Sequence, residues 1–494
     1  MKESTIFRLF WCLVVGALVV RVWSVVRSAR VELVDDDDEI DEASPGVAHA
    51  VENIAEVPKK VKIYIYELGP RLQPWLNDSE NIGQYSLGSV MFERMIVDSR
   101  RTRDPSKATL YVVPVDLSRM TFGDDKLPPH EICALVAEAR RRVEAVKKPR
   151  TRFFGEAPVS YASRRNGLDH VVPVARVASS MYWGWGKSCA DTFNWLRSMQ
   201  WVTIEPPYRV DAETGEAVVD HSDIPPMGGA PRHHIVPYTT GVRFRSRDDA
   251  ELLRRYQRSA NRTYLVAQSI GDHARKGSSL RSNLKVACAR LSPGICATDW
   301  RAARALTLQR NRKTAGPLKH FEQWLVHSTP HVALYASATF CVQPPGVTPT
   351  RTAVYQCLLA GSIPVFFESF LVDALNPLFS PAPLVTTSVV QQQEKPFQHT
   401  PSKGDDDWTQ SGPHPWAVVV STKRATANPF AEVYGKLARM DRDVVDDMRR
   451  TIAQAAPRLQ YALPGANIAG DAYDYAIARA VITANNAIAN AKDL

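Results

Sequence analysis

Cysteine is scarce in this chain, seven among 494 residues. That is too few for a disulfide scaffold and suits one or two structural bridges. No Cys-x-x-Cys occurs and no Cys/His set has metal-ligand spacing, so neither a thiol redox motif nor a zinc site is offered. Internal repeats are absent, which argues against a solenoid or propeller. No nucleic-acid-binding module accompanies the net charge of +9, and the basic residues are scattered apart from local clusters such as "RRRVEAVKKPR", Arg140 to Arg150. Nucleic acid is therefore not an expected partner. Global disorder is excluded by 45% hydrophobic and 23% charged residues, which are ordinary globular values. The length suits two packed domains.

What is present begins with an apolar run. "LFWCLVVGALVVRVWSVV", Leu9 to Val26, is interrupted only by Arg21 and Ser24, and at about 1.5 Å per residue it can cross a thin bilayer if Arg21 snorkels. A cleaved signal peptide is the competing reading, but no small-x-small cleavage site follows. We read residues 1–8 as a cytoplasmic tail and 9–26 as a signal-anchor transmembrane helix, which places a large luminal body in a type II orientation. Residues 27–60 read as an acidic stalk, with eight acidic residues between Glu32 and Glu42 that repel one another too strongly to pack. In a lumen, Cys288 and Cys296 would be the most plausible disulfide, and Asn77 and Asn261, each in an Asn-x-Ser/Thr triplet, would be glycosylation acceptors.

The body alternates strand-like and helix-like stretches, the mark of parallel α/β sheets. "VKIYIYELG", "TLYVVPVD", "GLDHVVPVARV", "WVTIEP" and "HHIVPY" are apolar or β-branched runs ending in turns. After a charged helix, Asp248 to Arg258, the rhythm restarts with a strand at Thr263 to Ala267. The expected division is into two α/β domains, 61–245 and 246–390, facing each other across a cleft. Residues 391–415 form an exposed polar insertion, and 416–494 a helical region that packs back on the body. Asp405 to Asp407 lie in low-complexity surroundings and read as surface loop rather than a metal motif.

The stretch "TFCVQPPGVTPTRTAVYQCLLAGSIPVFF" carries the chemistry. A strand ending at Val342 runs into a turn fixed by proline and glycine, then into a helix starting near Thr350. Thr348 or Thr350 can cap that helix, Gly346 permits close backbone approach, and Arg351 adds a bidentate positive fork. Such a loop suits a phosphate or diphosphate at a helix N-terminus. The plain alternative is an ordinary capped turn.

This run resembles the signature of the exostosin family of glycosyltransferases, glycosyltransferase family 47, most closely its plant xyloglucan galactosyltransferase-like branch. Phe340, Cys341, Gln343, Pro344, Pro345, Gly346, Thr350 and Arg351 match it, as do Leu359, Ala360, Gly361 and Ile363 to Phe367. "KIYIYELGP", "RTRDPSKATLYVVP", "NGLDHVVP" and "HHIVPYTT" extend the match in family order. The resemblance implies two Rossmann-like domains of the GT-B type facing a cleft, 61–245 as the N-terminal acceptor domain and 246–390 as the C-terminal nucleotide-sugar-binding domain. It implies a nucleotide-sugar donor such as a UDP-sugar, a glycan or polysaccharide acceptor, and inverting transfer at the Golgi membrane. No cofactor beyond the donor and no metal are expected. Arg281, with Arg275 and Lys276 in "ARKGSSLR", is expected beside Gly346, Thr348, Thr350 and Arg351 at the leaving diphosphate, and Gln356 at the ribose. Inversion needs a base; the candidates are Glu67, Asp169 and His170. On an extended segment Asp169 and His170 would point opposite ways, so one faces the cleft. Adjacent His233 and His234 read as packing residues.

Four positions depart from the family pattern. Val347 replaces an aspartate, Gln356 an acidic residue and Ser362 a cysteine, and Gly88 and Ser89 stand near a lost glutamate. These departures support an alternative reading, a catalytically weak Golgi protein that binds glycan or another transferase. A secreted lectin, released by cleavage of a signal peptide, is a third.

Overall fold

A computed structural model describes residues 61–72, 83–123, 126–147, 160–176, 181, 184–205, 208–210, 217–219, 233–259, 262–271, 279–292, 294–310, 316–346, 350–379, 414–466 and 468–490. The expected anchor and stalk lie outside them, as do Asn77, Asn261, Arg275, Lys276, Val347, Thr348 and nearly all of the 391–415 segment. Among the described residues no helix is long and apolar enough to cross a membrane.

Two parallel sheets carry the fold. The first joins β1 (Ile63–Ile65), β2 (Arg101–Thr102), β3 (Leu110–Val112), β4 (His170–Val174), β5 (Gln200–Thr203) and β8 (His233–Ile235), in the order β2-β1-β3-β4-β5-β8. A separate antiparallel hairpin, β6 (Tyr208–Val210) and β7 (Ala217–Val219), lies between β5 and β8 in sequence. The second sheet joins β9 (Tyr264–Gln268), β10 (Cys296–Ala297), β11 (Ala338–Val342), β12 (Ile363–Phe366) and β13 (Val418–Val419), in the order β10-β9-β11-β12-β13. All pairings in both sheets are parallel. In both sheets the strands immediately beside the first strand are reached by crossovers that carry helices, and β3, β4, β5 and β12 are buried along their whole length. Apolar strands covered on both faces are what a parallel sheet between helices demands.

The covering helices bury one stripe each. The Pro129–Ala145 helix begins at a proline and buries Ile132, Leu135, Val136, Ala139 and Val143. That spacing gathers its apolar residues on the face toward the first sheet and leaves its arginines outside. Thr329 opens the Pro330–Ala336 helix by accepting the Val332 N–H. Each fully buried aliphatic or aromatic side chain in these layers contributes roughly 1.5–3 kcal/mol.

The chain leaves the first sheet along residues 236–245 and comes back along 460–471, and the two segments bind each other. Leu463 N–H donates to Phe244 O at 2.8 Å, Tyr461 OH to Pro237 O at 2.8 Å, and the Arg243 guanidinium reaches Tyr461 O, Ala462 O and Glu93. The Ala472–Asn490 helix then packs on the first sheet. Gln200 Nε2 donates to Ala480 O at 3.0 Å, and Tyr473 and Asp474 meet Asp98 and Arg100.

Three disulfides occur among the described residues, Cys133–Cys189, Cys288–Cys296 and Cys341–Cys357. The expectation of one or two is corrected. Two of the bridges span 56 and 16 residues and are made by the fold rather than by a local loop.

Gly361 turns the chain from the Thr352–Leu359 helix into β12 with φ +70°, and a Cβ there would lie 2.6 Å from Gln257 Cγ. Gln257 and Arg262 both bond carbonyls of this turn. Gly361→Ala is expected to cost about 2–4 kcal/mol through left-handed strain and overpacking. Denaturant unfolding measures this, and an unchanged midpoint would contradict it.

Candidate functional site

The parallel strands β9 and β11 are neighbours, so their following loops emerge side by side. Two guanidinium groups stitch these loops together. Arg281, in the first turn of the Leu280–Arg290 helix, donates from Nε to Pro345 O at 3.0 Å and from Nη1 to Gly271 O at 3.1 Å. Arg351 donates from Nη1 to Pro344 O at 3.3 Å and from Nη2 to Ser269 O at 2.8 Å. Consecutive carbonyls of the Pro344-Pro345 turn thus hold two cations. Burial, and then the charge of Arg351, lower the Arg281 pKa to about 10. The Arg351 charge also acts, after burial, to lower the pKa of His331. Both guanidiniums donate to neutral backbone carbonyls, an arrangement that suits an anion.

Gly346 is buried beside Pro345, and Arg351 is the N-cap of the eight-residue Thr352–Leu359 helix. Of the two threonines expected as caps, Thr348 lies outside the described residues and Thr350 does not cap this helix. The Thr350 hydroxyl instead donates to Glu205 Oε1 at 2.7 Å. Gln356 is buried on the next turn.

Glu205 is fully buried two residues beyond β5, on the first sheet. Its Oε1 also accepts from Tyr238 OH at 2.8 Å, while its Oε2 lies 3.8 Å from Arg176 Nη1. The Arg176 guanidinium stacks over the Phe122 ring at 4.8 Å and near Tyr85 at 5.6 Å. Burial, with the Glu205 charge, raises the Tyr238 pKa, which keeps this phenol a donor. A carboxylate of one sheet is thereby bonded to the loop of the other.

Among the base candidates, Glu67 is exposed just beyond β1. Asp169 and His170 are both fully buried. The expectation that they point opposite ways is corrected: Asp169 lies in the turn before β4, not on the strand, so its carboxylate folds over the imidazole. Asp169 Oδ1 is 2.8 Å from His170 Nδ1, and His170 Nε2 is 2.8 Å from the Tyr66 hydroxyl. The His170 ring also stacks on Tyr111 at 4.9 Å. His234 is buried against Gln200, and burial pushes its pKa down to about 3, so it is neutral and packs as expected.

The family profile described as "Exostosin GT47 domain" matches residues 58–400. The chain belongs to the exostosin GT47 family. Among curated proteins it is 25% identical over 395 residues to the xyloglucan galactosyltransferase XLT2 of Arabidopsis thaliana, covering 78% of this chain and 61% of that relative. It is 26% identical over 213 residues to a probable xyloglucan galactosyltransferase, GT19, of the same plant, covering 42% of this chain and 41% of the relative. The chain thus spans about three fifths of the longer match and two fifths of the other.

In this exostosin GT47 chain the departures have visible consequences. Ser362, where the pattern has cysteine, donates its hydroxyl to Ala338 O at 2.7 Å, and Cys341 is bridged to Cys357. Gly88 and Ser89 lie against the buried carboxylate of Asp116, which accepts the Ser89 N–H at 3.1 Å. Sequence reasoning missed Glu205, Tyr238 and Asp116. Glu205 follows a strand in "WVTIEP", the same signal that drew attention to Glu67.

Burial raises the Asp116 pKa to about 7, against the opposing pull of the Arg119 and Ser89 N–H groups. A folded pKa above the unfolded value means that the native state holds the proton more tightly. The stability this contributes is present below about pH 4 and is lost as pH rises toward 7, by on the order of 4 kcal/mol. Wild type should therefore lose stability between pH 4 and 7 relative to Asp116→Asn. Thermal unfolding of both proteins across that range checks this; parallel curves would contradict it.

Proposed function

We propose that this GT47 chain is an inverting glycosyltransferase of the GT-B type, held in the Golgi membrane by residues 9–26. It transfers a sugar, such as galactose or a uronic acid, from a nucleoside-diphosphate sugar to a polysaccharide or glycan acceptor. The observation that carries the reading is the pair of guanidiniums, Arg281 and Arg351, held on neutral carbonyls at the ends of β9 and β11. The names of the Arabidopsis relatives support galactose as the first sugar to test and xyloglucan as the first acceptor.

In this reading an acceptor hydroxyl oxygen forms the new bond to the anomeric carbon, and its proton passes to the exposed Glu67 carboxylate. The bond from that carbon to the diphosphate oxygen breaks, and the electron pair leaves on the diphosphate. Arg281 and Arg351 neutralise the added charge, and the N-terminus of the Thr352–Leu359 helix assists. Gln356 offers hydrogen bonds without charge to the nucleoside. That missing charge favours the second reading, a GT47 protein that binds glycan or another transferase with weak turnover.

Calorimetric titration of the purified chain with UDP, GDP, ADP and CDP tests the donor site. One diphosphate is expected to bind, and Arg351→Ala to weaken it at least about tenfold, or ~1.4 kcal/mol. Binding by none would refute the reading.

A further inference from the structure

We infer that Glu205 is a positioning residue, which sets Arg351 for the donor diphosphate from across the molecule. The inference rests on the proposed donor site and assigns it a component from the first sheet. Glu205 has no exposure, and a buried carboxylate demands compensation. It receives that from two hydroxyl donors on one oxygen, Tyr238 OH at 2.8 Å and Thr350 Oγ1 at 2.7 Å. Tyr238 follows β8, so Glu205 and Tyr238 together form a post on the first sheet. Thr350 belongs to the loop between β11 and the Thr352–Leu359 helix, 145 residues away from Glu205.

Thr350 is one peptide bond from Arg351, so fixing the Thr350 hydroxyl fixes where the next Cα stands, about 3.8 Å on. Arg351 is extended there, with φ −152° and ψ 148°, and no side chain caps the helix behind it. Among the described residues its guanidinium is held from its far end, by Pro344 O and Ser269 O. The Glu205–Thr350 bond supplies the near end. Tyr355, one turn into the helix, packs its ring at 5.7 Å from that of Tyr238, so the contact continues beyond the bond itself. The donor loop of the second sheet is consequently competent only while it is docked on the first. Arg176, 3.8 Å from Glu205 Oε2, balances the post's charge without taking up the oxygen that holds Thr350.

The test uses Thr350→Val, which keeps the shape and removes the hydroxyl, Thr350→Ser, which restores a donor, and Glu205→Ala. UDP and GDP are the calorimetric probes, and backbone hydrogen exchange of the segment after β11 is read in parallel with the melting temperature. Thr350→Val and Glu205→Ala should weaken diphosphate binding about tenfold and speed exchange in that segment, with exchange in both sheets unchanged. Thr350→Ser should recover both. Wild-type affinity and wild-type exchange in Thr350→Val would overturn the inference, as would failure of Thr350→Ser to recover. If the wild-type chain binds neither probe, ADP and CDP replace them; binding of none of the four refutes the donor site itself, and the exchange comparison alone then decides whether Glu205 positions the loop. Because Thr350→Val adds no bulk, it still decides the matter if Glu205→Ala does not fold.

Discussion

Two like charges fixed on backbone carbonyls are the constraint around which the second half of this molecule is arranged. Burying Arg281 and setting it beside Arg351 costs free energy, and the burial first, then the neighbouring charge, lower the pKa of Arg281. The fold offsets that cost with carbonyls from two loops, and those loops adjoin only because β9 and β11 are parallel neighbours. The Cys341–Cys357 bridge links β11 to the helix after the loop, so both ends of the Pro344–Arg351 segment are tethered. A site of this kind is prepared for an anion before the anion arrives.

The first sheet supplies a different environment. Its polar side chains near the strand ends are largely turned inward and paired: Asp169 with His170, His170 with Tyr66, Asp116 with the N–H groups of two helices. Such networks fix strand ends and loops, because each buried polar atom that is satisfied favours one arrangement. Glu205 belongs to the same class but spends one of its bonds on the other sheet. The paired segments 236–245 and 460–471 lie along the same passage between the sheets. The two halves share one apolar core, and hydrogen bonds at the crossing and the Glu205 carboxylate at the site add to it.

Much of this was legible in the sequence. The strands were visible as apolar runs ending in turns, and the connection after β11 as a Pro/Gly turn with Arg351 between a strand and a helix. What was not legible depended on distance along the chain. The Glu205–Thr350 bond and the Cys133–Cys189 bridge join residues 145 and 56 positions apart, and no periodicity encodes such pairs. Asp169 and His170 were misread for a local reason. The strand begins at His170, which leaves Asp169 in the turn before it, so the two adjacent side chains meet instead of diverging. Thr350 was assigned to its own helix because capping is the commonest use of a threonine there, whereas a buried carboxylate is the stronger acceptor.

The claim on which the account rests is that the loops after β9 and β11 form a diphosphate site. An experimental structure of the chain crystallised with UDP tests it most directly. The account predicts the diphosphate oxygens within hydrogen-bond distance of the Arg281 and Arg351 guanidiniums, at the N-terminus of the Thr352–Leu359 helix. Density for UDP elsewhere in the molecule, with these two guanidiniums untouched, would contradict it.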